Sequence, residues 1–161
     1  MISQALIEST TQLLTDKKVT ISTAESCTGG LLGHVLTSVS GSSAYFDRGI
    51  ISYTNEAKHE LLDVSMQDLD EFGAVSEQVA KAMCEGVRTN AKTDIGVSTT
   101  GIAGPTGGSK DKPVGLVYIG VSNKKRTLVN RFVFMGTRLE NKDATCVEAL
   151  KMITQIVNEL D

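Results

Sequence analysis

The stretch "VTISTAESCTGGLLGHVL", at positions 19–36, restricts the possible folds more than any other part of the chain. Its β-branched first third predicts a strand, and the apolar spacing after residue 31 predicts a helix. Gly29 and Gly30 separate the two elements and predict a tight turn. A strand that passes through a glycine turn directly into a helix is typical of α/β proteins.

The rest of the chain continues this alternation. Strands are predicted at 19–24, 48–55, 94–101, 114–123 and 127–136, and helices at 2–14, 31–39, 56–63, 77–87 and from 139 onward. The last two strands form a hairpin, so the pattern predicts an α/β fold with a mixed sheet covered by helices on both faces. Ligands of such sheets bind at the carboxyl ends of the parallel strands. Three polar loops are therefore expected to share one pocket: 23–30, 41–45 and 99–109.

Length and composition narrow the classes of protein further. A chain of 161 residues suits a single domain, here 1–161, and a net charge of −3 argues against a nucleic-acid partner. The three cysteines, Cys27, Cys84 and Cys146, are odd in number and widely spaced, which argues against a disulfide framework and a cysteine zinc site. Without a basic leader or an 18-residue apolar stretch, we expect a cytoplasmic protein with no membrane partner.

The turn "ESCTGG" offers groups that can hold an anion. A helix begins directly after it, and a helix N-terminus presents free N–H groups and a positive dipole end. Ser26, Thr28 and the backbone of Gly29 and Gly30 are therefore candidates to bind a phosphate or a carboxylate. The alternative is that Thr28 only caps the helix while the glycines form the turn.

A serine nucleophile is one interpretation of the segment "GSSAYFDRGIISYTNEAK". The chain has only two histidines, so a Ser-His-Asp triad has few candidates and another base is required. Lys58, with a pKa lowered by burial, can activate Ser43, and Tyr53 can relay the proton. A solvated Lys58, a core Tyr53 and a serine pair that only forms a turn remain the alternative.

A cysteine nucleophile is the second interpretation. Cys27, with Glu25 as base and Lys58 as electrophilic helper, matches the trio of nitrilase-type amidases. A thiol at a strand-to-helix turn is acidified by the helix end. Because cysteine is among the most buried residue types, an inert, packed Cys27 is the alternative.

Two further segments carry candidate binding groups. "STTGIAGPTGG" supplies Thr100 and the backbone at Gly101, which suit an oxyanion hole or a sugar. Arg138, just before the last helix, suits a bidentate phosphate contact. The alternatives are a flexible connection and a solvated arginine.

The motifs "TAESCTGG", "SGSSAYFDRGIISYTNEAK", "GAVSE" and "TTGIAGPTGGSKDKPVGLVYIG" together resemble the CinA C-terminal domain family, the nicotinamide-nucleotide amidases. The resemblance covers nearly the whole chain. It implies a three-layer α/β/α sandwich with a mixed, mostly parallel sheet, present as a stand-alone domain. It also implies hydrolysis of nicotinamide mononucleotide to nicotinate mononucleotide and ammonia without a metal or other cofactor, in a homo-oligomer (a dimer or larger).

The resemblance implies roles for individual residues. Ser43 is expected to be the nucleophile, with Tyr53 and Lys58 handling protons. Ser26, Thr100 and Arg138 are expected in the substrate pocket. The chain departs from the family pattern after "GTR", where Lys142 is the nearest cation to the place of a second arginine. This departure keeps open a non-catalytic nucleotide sensor or scaffold of the same family.

Overall fold

The computed structural model describes residues 1–160 and contains five strands and six α-helices within that part of the chain. The strands are β1 (Ile21–Glu25), β2 (Phe46–Ile51), β3 (Ile95–Gly101), β4 (Leu116–Ser122) and β5 (Thr127–Val133). The helices are α1 (Gln4–Asp16), α2 (Leu31–Leu36), α3 (Asn55–Leu62), α4 (Met66–Phe72), α5 (Glu77–Ala91) and α6 (Arg138–Asn158). A short 3₁₀ turn, Ser42–Ala44, directly precedes β2.

The five strands form one mixed sheet in the order β2-β1-β3-β4-β5. Strand β1 pairs in parallel with β2 and β3, whereas β3, β4 and β5 pair antiparallel. Helices α1, α2 and α6 pack on one face, and α3, α4 and α5 pack on the other. This arrangement confirms the three-layer α/β/α sandwich, and β1 is buried along its whole length because both of its faces are covered.

Side-chain caps explain where several helices begin. The hydroxyls of Thr54, Ser76 and Thr137 accept hydrogen bonds from backbone N–H groups at the starts of α3, α5 and α6. Helix α4 lies outside the predicted elements, because its polar sequence buries only Leu69 and gives little apolar periodicity. None of the helices within residues 1–160 has the length and apolar character needed to cross a membrane.

The direction of the strands decides which polar loops meet. Strands β1, β2 and β3 are parallel, so their carboxyl ends lie on the same side of the sheet, which we call the carboxyl edge. The segments that follow these three ends are 26–30, 52–54 and 102–115. The segment 41–45 instead precedes β2 and lies at the opposite edge, where Tyr45 O accepts from Ile21 N at 2.7 Å. The prediction that three loops share a pocket is therefore wrong for 41–45. The other two, 23–30 and 99–109, lie side by side, since Ser26 N donates to Thr99 O.

Candidate active site

Lys58 is the central side chain of the carboxyl edge. It belongs to the first turn of α3, yet only 1% of its surface is exposed. Its Nζ donates to Ser26 Oγ at 3.0 Å and to the carbonyl oxygens of Ser52 and Tyr53 at 2.9 and 3.3 Å. All three acceptors are neutral, so no carboxylate in the described part of the chain, residues 1–160, holds the amine in place.

Burial lowers the pKa of Lys58 below its ordinary value, because a charged ammonium loses hydration in this position. A lysine that gives up its proton more easily can act as a general base. The hydroxyl it contacts belongs to Ser26, whose backbone N–H is fixed by Thr99 O at 3.0 Å. Ser26 retains 8% exposure, and it is the serine that the structure places on Lys58.

Ser43 does not lie at this edge. It is exposed in the 3₁₀ turn at the amino end of β2, whereas Lys58 follows the carboxyl end of that strand. The six residues of β2 lie between them, which corresponds to a separation of about 20 Å at about 3.3 Å per residue. Within one chain, the predicted pair of Ser43 and Lys58 is therefore wrong, because the two residues flank the same strand at opposite ends.

Glu25 occupies the N-terminus of α2. Its buried carboxylate accepts from Leu32 N at 2.8 Å and Gly33 N at 3.0 Å, and from Thr28 Oγ1 at 2.6 Å. The protein itself thus supplies the anion that the start of this helix attracts. The prediction that Thr28 contacts a ligand is wrong for its side chain, because the hydroxyl is fully buried between Glu25 and Thr99 Oγ1.

This capping role gives a stability prediction. Glu25→Ala is expected to lower the free energy of unfolding by about 3 kcal/mol, because it leaves one buried and one half-buried N–H group without an acceptor. The melting temperature should fall by about 10 °C in a thermal scan. The exposed Glu8 provides the control, since Glu8→Ala should change the melting temperature by less than about 2 °C. A Glu25 variant that melts like the wild type would contradict this role.

Cys27 does not have the environment of a nucleophile. Its side chain is buried in the apolar core on the α2 face of the sheet. Burial raises the pKa of the thiol to about 12, against the lowering effect of a hydrogen bond with Thr99. Glu25 caps α2 and Lys58 contacts Ser26, so the predicted trio of Cys27, Glu25 and Lys58 is wrong.

Tyr53 and Arg138 meet at the mouth of the site. Arg138 begins α6, and its guanidinium donates to Tyr53 Oη at 2.9 Å and to Gly104 O at 2.8 Å. Both acceptors are neutral, so these contacts do not compensate the charge of the arginine. Tyr53 is 57% exposed, and its backbone carbonyl accepts from Lys58 on the inner side. The phenol of Tyr53 thus contacts Arg138 and not Lys58, so the prediction that this hydroxyl relays a proton for Lys58 is wrong for this geometry.

The glycine turn lies next to a second cation. Gly29 and Gly30 have φ values of 57° and 102°, a left-handed conformation that favours glycine. A Cβ at Gly29 would lie 3.7 Å from Lys142 Nζ. Lys142 and Arg138 therefore both lie at the carboxyl edge, on the first two turns of α6.

Thr100 and Gly101 have structural reasons for their identity. Thr100 Oγ1 donates to Ala74 O at 2.8 Å, and its side chain is buried. A Cβ at Gly101 would lie 2.7 Å from Leu116 O on the adjacent strand, which explains the glycine by close packing. Both residues border the site through their backbone, because β3 ends next to the turn that carries Ser26.

One residue that supports the site, Asn141, belongs to none of the motifs in the sequence. Asn141 is buried; its Nδ2 donates to Ala103 O at 3.0 Å and its Oδ1 accepts from Gly136 N at 2.9 Å. These bonds tie the start of α6 to the loop after β3 and so position Arg138. The only signal was the spacing of three residues between Arg138 and Asn141, which places both on one side of the helix.

Comparisons with known proteins agree with this architecture. The family model of the CinA C-terminal domain matches residues 3–157 of this chain. A protein of Caldicellulosiruptor bescii named as competence-damage inducible is 52% identical over 150 residues, and a CinA-like protein of Chlorobium limicola is 51% identical over 151 residues. The matches cover 93% and 91% of this chain but only 36% and 35% of those proteins, so the chain spans about a third of their length.

Solved structures match over nearly their whole length. The competence/damage inducible protein CihA of Agrobacterium tumefaciens has a TM-score of 0.93 at 39% identity, with 98% of each chain covered. The competence damage-inducible protein A of Klebsiella pneumoniae has a TM-score of 0.95 at 28% identity, with 100% of each chain covered. Sequence and fold therefore agree, and the chain belongs to the CinA C-terminal domain family.

Proposed function

We propose that the chain is an amidase that hydrolyses the carboxamide of nicotinamide mononucleotide, with Ser26 as nucleophile and Lys58 as its base. The resemblance to the amidases of the family suggests the substrate. The observation that supports the chemistry is the 3.0 Å contact between Ser26 Oγ and Lys58 Nζ in a site that lowers the pKa of the amine. The proposal assigns Ser26 the role that the resemblance implied for Ser43.

The proposed reaction proceeds in two halves. Neutral Lys58 accepts the proton of Ser26 as Oγ attacks the carboxamide carbon, and a tetrahedral oxyanion forms. When the C–N bond breaks, the Lys58 ammonium returns that proton to the departing nitrogen, which leaves as ammonia. A water molecule then attacks the acyl ester on Ser26 while Lys58 accepts its proton. Collapse of this second intermediate releases nicotinate mononucleotide, and Ser26 regains its proton from Lys58.

Arg138 and Lys142 are the proposed partners of the substrate phosphate. Both lie on α6 at the edge where Ser26 and Lys58 meet. Arg138 donates only to neutral oxygens, so its charge remains available to an anion. The N-terminus of α2 is not assigned to the phosphate, because Glu25 already occupies it.

The direct test is turnover of nicotinamide mononucleotide by the purified protein in the presence of EDTA. Ammonia and nicotinate mononucleotide should appear in equal amounts. The Lys58→Ala variant, prepared in the same way, is the control for contaminating amidases. Calorimetric binding of the nucleotide without any product at high protein concentration would contradict the amidase and favour a non-catalytic nucleotide sensor of the same family.

Arg138→Ala is expected to raise KM for nicotinamide mononucleotide at least about tenfold while kcat changes much less, because the arginine binds the phosphate in ground state and transition state alike. Steady-state kinetics with the nucleotide and with its dephosphorylated nucleoside measure this effect, and the nucleoside should show little change. Arg131→Ala, on the exposed face of β5, is the matched control. An equal loss with both substrates would contradict the assignment of the phosphate to Arg138.

A further inference from the structure

A second cavity lies away from the candidate active site, between α5 and the hairpin formed by β4 and β5. Its volume is about 540 Å³, and we call it the hairpin cavity. The turn of the hairpin lies beside the amino end of β3, because Ser122 pairs with Gly96. This turn is therefore on the side of the sheet opposite the carboxyl edge, and the described residues that line the cavity include neither Ser26 nor Lys58.

Arg88 is held in a fixed position on the wall of the hairpin cavity. Its side chain is half-buried, and its Nε donates to the oxygen of the buried Ser122 hydroxyl at 3.1 Å. Thr127 Oγ1 contacts the same hydroxyl at 3.1 Å. The two terminal nitrogens of the guanidinium have no hydrogen-bond partner within residues 1–160. A guanidinium that is anchored through Nε and open at its terminal nitrogens can bind two oxygens of one phosphate.

The turn between β4 and β5 adds two lysines to the same cavity. Asn123 is buried, and its Oδ1 accepts from the backbone N–H groups of Lys125 and Arg126 at 2.7 and 2.9 Å. These bonds fix the backbone of the turn. Lys124 and Lys125 are exposed and both line the cavity. The turn therefore presents two ammonium groups beside the anchored guanidinium.

The charges around the cavity leave an excess of positive charge. Four lining side chains are cations without an ion pair within residues 1–160: Lys81, Arg88, Lys124 and Lys125. Arg126 is compensated, because its guanidinium donates to both carboxylate oxygens of Glu159 at 2.9 and 2.7 Å. Two carboxylates, Glu77 and Glu85, also line the cavity, and Glu85 accepts from Thr127 Oγ1 at 2.7 Å. Four unpaired cations and two carboxylates leave two positive charges in excess.

We propose that the hairpin cavity binds a small molecule that carries two or more linked phosphate groups. Arg88 holds one phosphate in a bidentate contact, and Lys124 and Lys125 neutralise the next. One phosphate needs only the guanidinium, so the two neighbouring ammonium groups favour a ligand with a second phosphate. The proposal goes beyond the amidase and does not depend on it.

The size of the cavity and the charge of the protein favour a small molecule over a nucleic acid. A volume of about 540 Å³ lies within the range of about 300–1,000 Å³ that is usual for small-molecule sites. A nucleic-acid surface needs a basic patch that extends over many phosphates, whereas this chain has a net charge of −3. The excess of positive charge is therefore expected to act on one compact anion.

Calorimetry with tripolyphosphate and with inorganic phosphate tests the site. The wild type should bind tripolyphosphate at least about tenfold more tightly than inorganic phosphate. Arg88→Gln should weaken binding of tripolyphosphate at least about tenfold, because it removes the charge and the fork of the guanidinium. Arg131→Gln, which removes one charge from β5 outside the cavity, is the matched control and should change the affinity less than about twofold.

Nuclear magnetic resonance distinguishes this cavity from the cations Arg138 and Lys142 at the carboxyl edge. Tripolyphosphate should shift the backbone amide resonances of residues 123–127 in the wild type and in Arg138→Ala, but not in Arg88→Gln. The double variant of Lys124→Gln and Lys125→Gln should bind inorganic phosphate and tripolyphosphate with similar affinity. Both lysines are exposed, so this variant tests the proposal even if Arg88→Gln does not fold.

Each result supports or overturns the polyphosphate site without a measurement of turnover. Unchanged resonances at 123–127, or an equal loss of affinity in Arg88→Gln and Arg131→Gln, would overturn it. An oligonucleotide that shifts the same resonances and binds more tightly than tripolyphosphate would replace the small molecule by a nucleic acid. Binding of tripolyphosphate at 123–127 in a protein that does not hydrolyse nicotinamide mononucleotide would support the site and leave only the amidase contradicted.

Discussion

Ser26→Ala is expected to lower kcat for nicotinamide mononucleotide at least about a thousandfold, because it removes the oxygen that attacks the carboxamide. The effect on the fold should be small, since the hydroxyl is a partner of Lys58 and no helix cap depends on it. Ammonia release measures the activity, and a thermal scan shows whether the variant is folded. Substrate binding, measured by calorimetry, should persist.

The neighbouring Cys27 is the matched control. Cys27→Ala should retain activity within a few-fold of the wild type, because its thiol is buried and its pKa is raised to about 12. The small cavity that this substitution leaves should cost about 1 kcal/mol of stability. The reverse result, an active Ser26→Ala and an inactive Cys27→Ala, would contradict the serine mechanism and restore the thiol as nucleophile.

Lys58→Met is expected to abolish turnover to a similar extent, at least about a thousandfold, because no other base within residues 1–160 contacts Ser26. The side chain of methionine fills most of the volume of the lysine, so the variant should remain folded. Lys58→Arg provides a second comparison. Arginine retains a positive charge but does not release its proton, so it should also be inactive. An active Lys58→Arg would show that the site needs a cation rather than a base.

The wild-type pH profile follows from the lowered pKa of Lys58. Because the neutral amine is the reactive form, kcat/KM should rise with pH and reach a plateau after the amine has lost its proton. The midpoint should lie below 10.5, the ordinary pKa of a lysine side chain. A rate measurement across pH 6 to 10 in matched buffers tests this result. A profile that falls with pH in this range would contradict a lysine base.

The same shift has a consequence for stability. Between the lowered pKa of the folded protein and 10.5, the unfolded chain binds a proton at Lys58 that the folded chain does not bind. The free energy of unfolding of the wild type should therefore rise with pH through this window, relative to that of Lys58→Met. Denaturant titrations of both proteins at several pH values measure the difference. A constant difference would show that burial does not shift the titration of Lys58.

Much of the secondary structure follows from local patterns. The helices predicted from positions 56 and 77 correspond to α3 and α5, where the hydroxyls of Thr54 and Ser76 satisfy the first free N–H groups. The β-branched strand, glycine turn and helix at positions 19–36 were recognisable for the same kind of reason. Helix α4 was not, because its stability depends on packing of Leu69 rather than on a repeated apolar face.

Only part of the candidate site could be predicted from the sequence. The residue types were informative, because a chain with two histidines and a lysine near serines restricts the choice of base. Spacing along the chain nevertheless favoured Ser43, 15 positions from Lys58, over Ser26, 32 positions away. Proximity in sequence was misleading because the whole of β2 separates Ser43 from Lys58. Parallel pairing of β1 with β2 instead brings Ser26 into contact with Lys58.

Local composition and periodicity were sufficient for the α/β fold class, for the order of every element except α4 and for the candidate reactive side chains, since each depends on neighbours within a turn or a strand. The assignment of Lys58 to Ser26, and of Glu25 to the start of α2, required the folded chain. Burial and strand direction arise only when strands and helices pack together. Burial lowers the pKa of Lys58 and raises that of Cys27, and the direction of the strands decides which end of β2 faces the site.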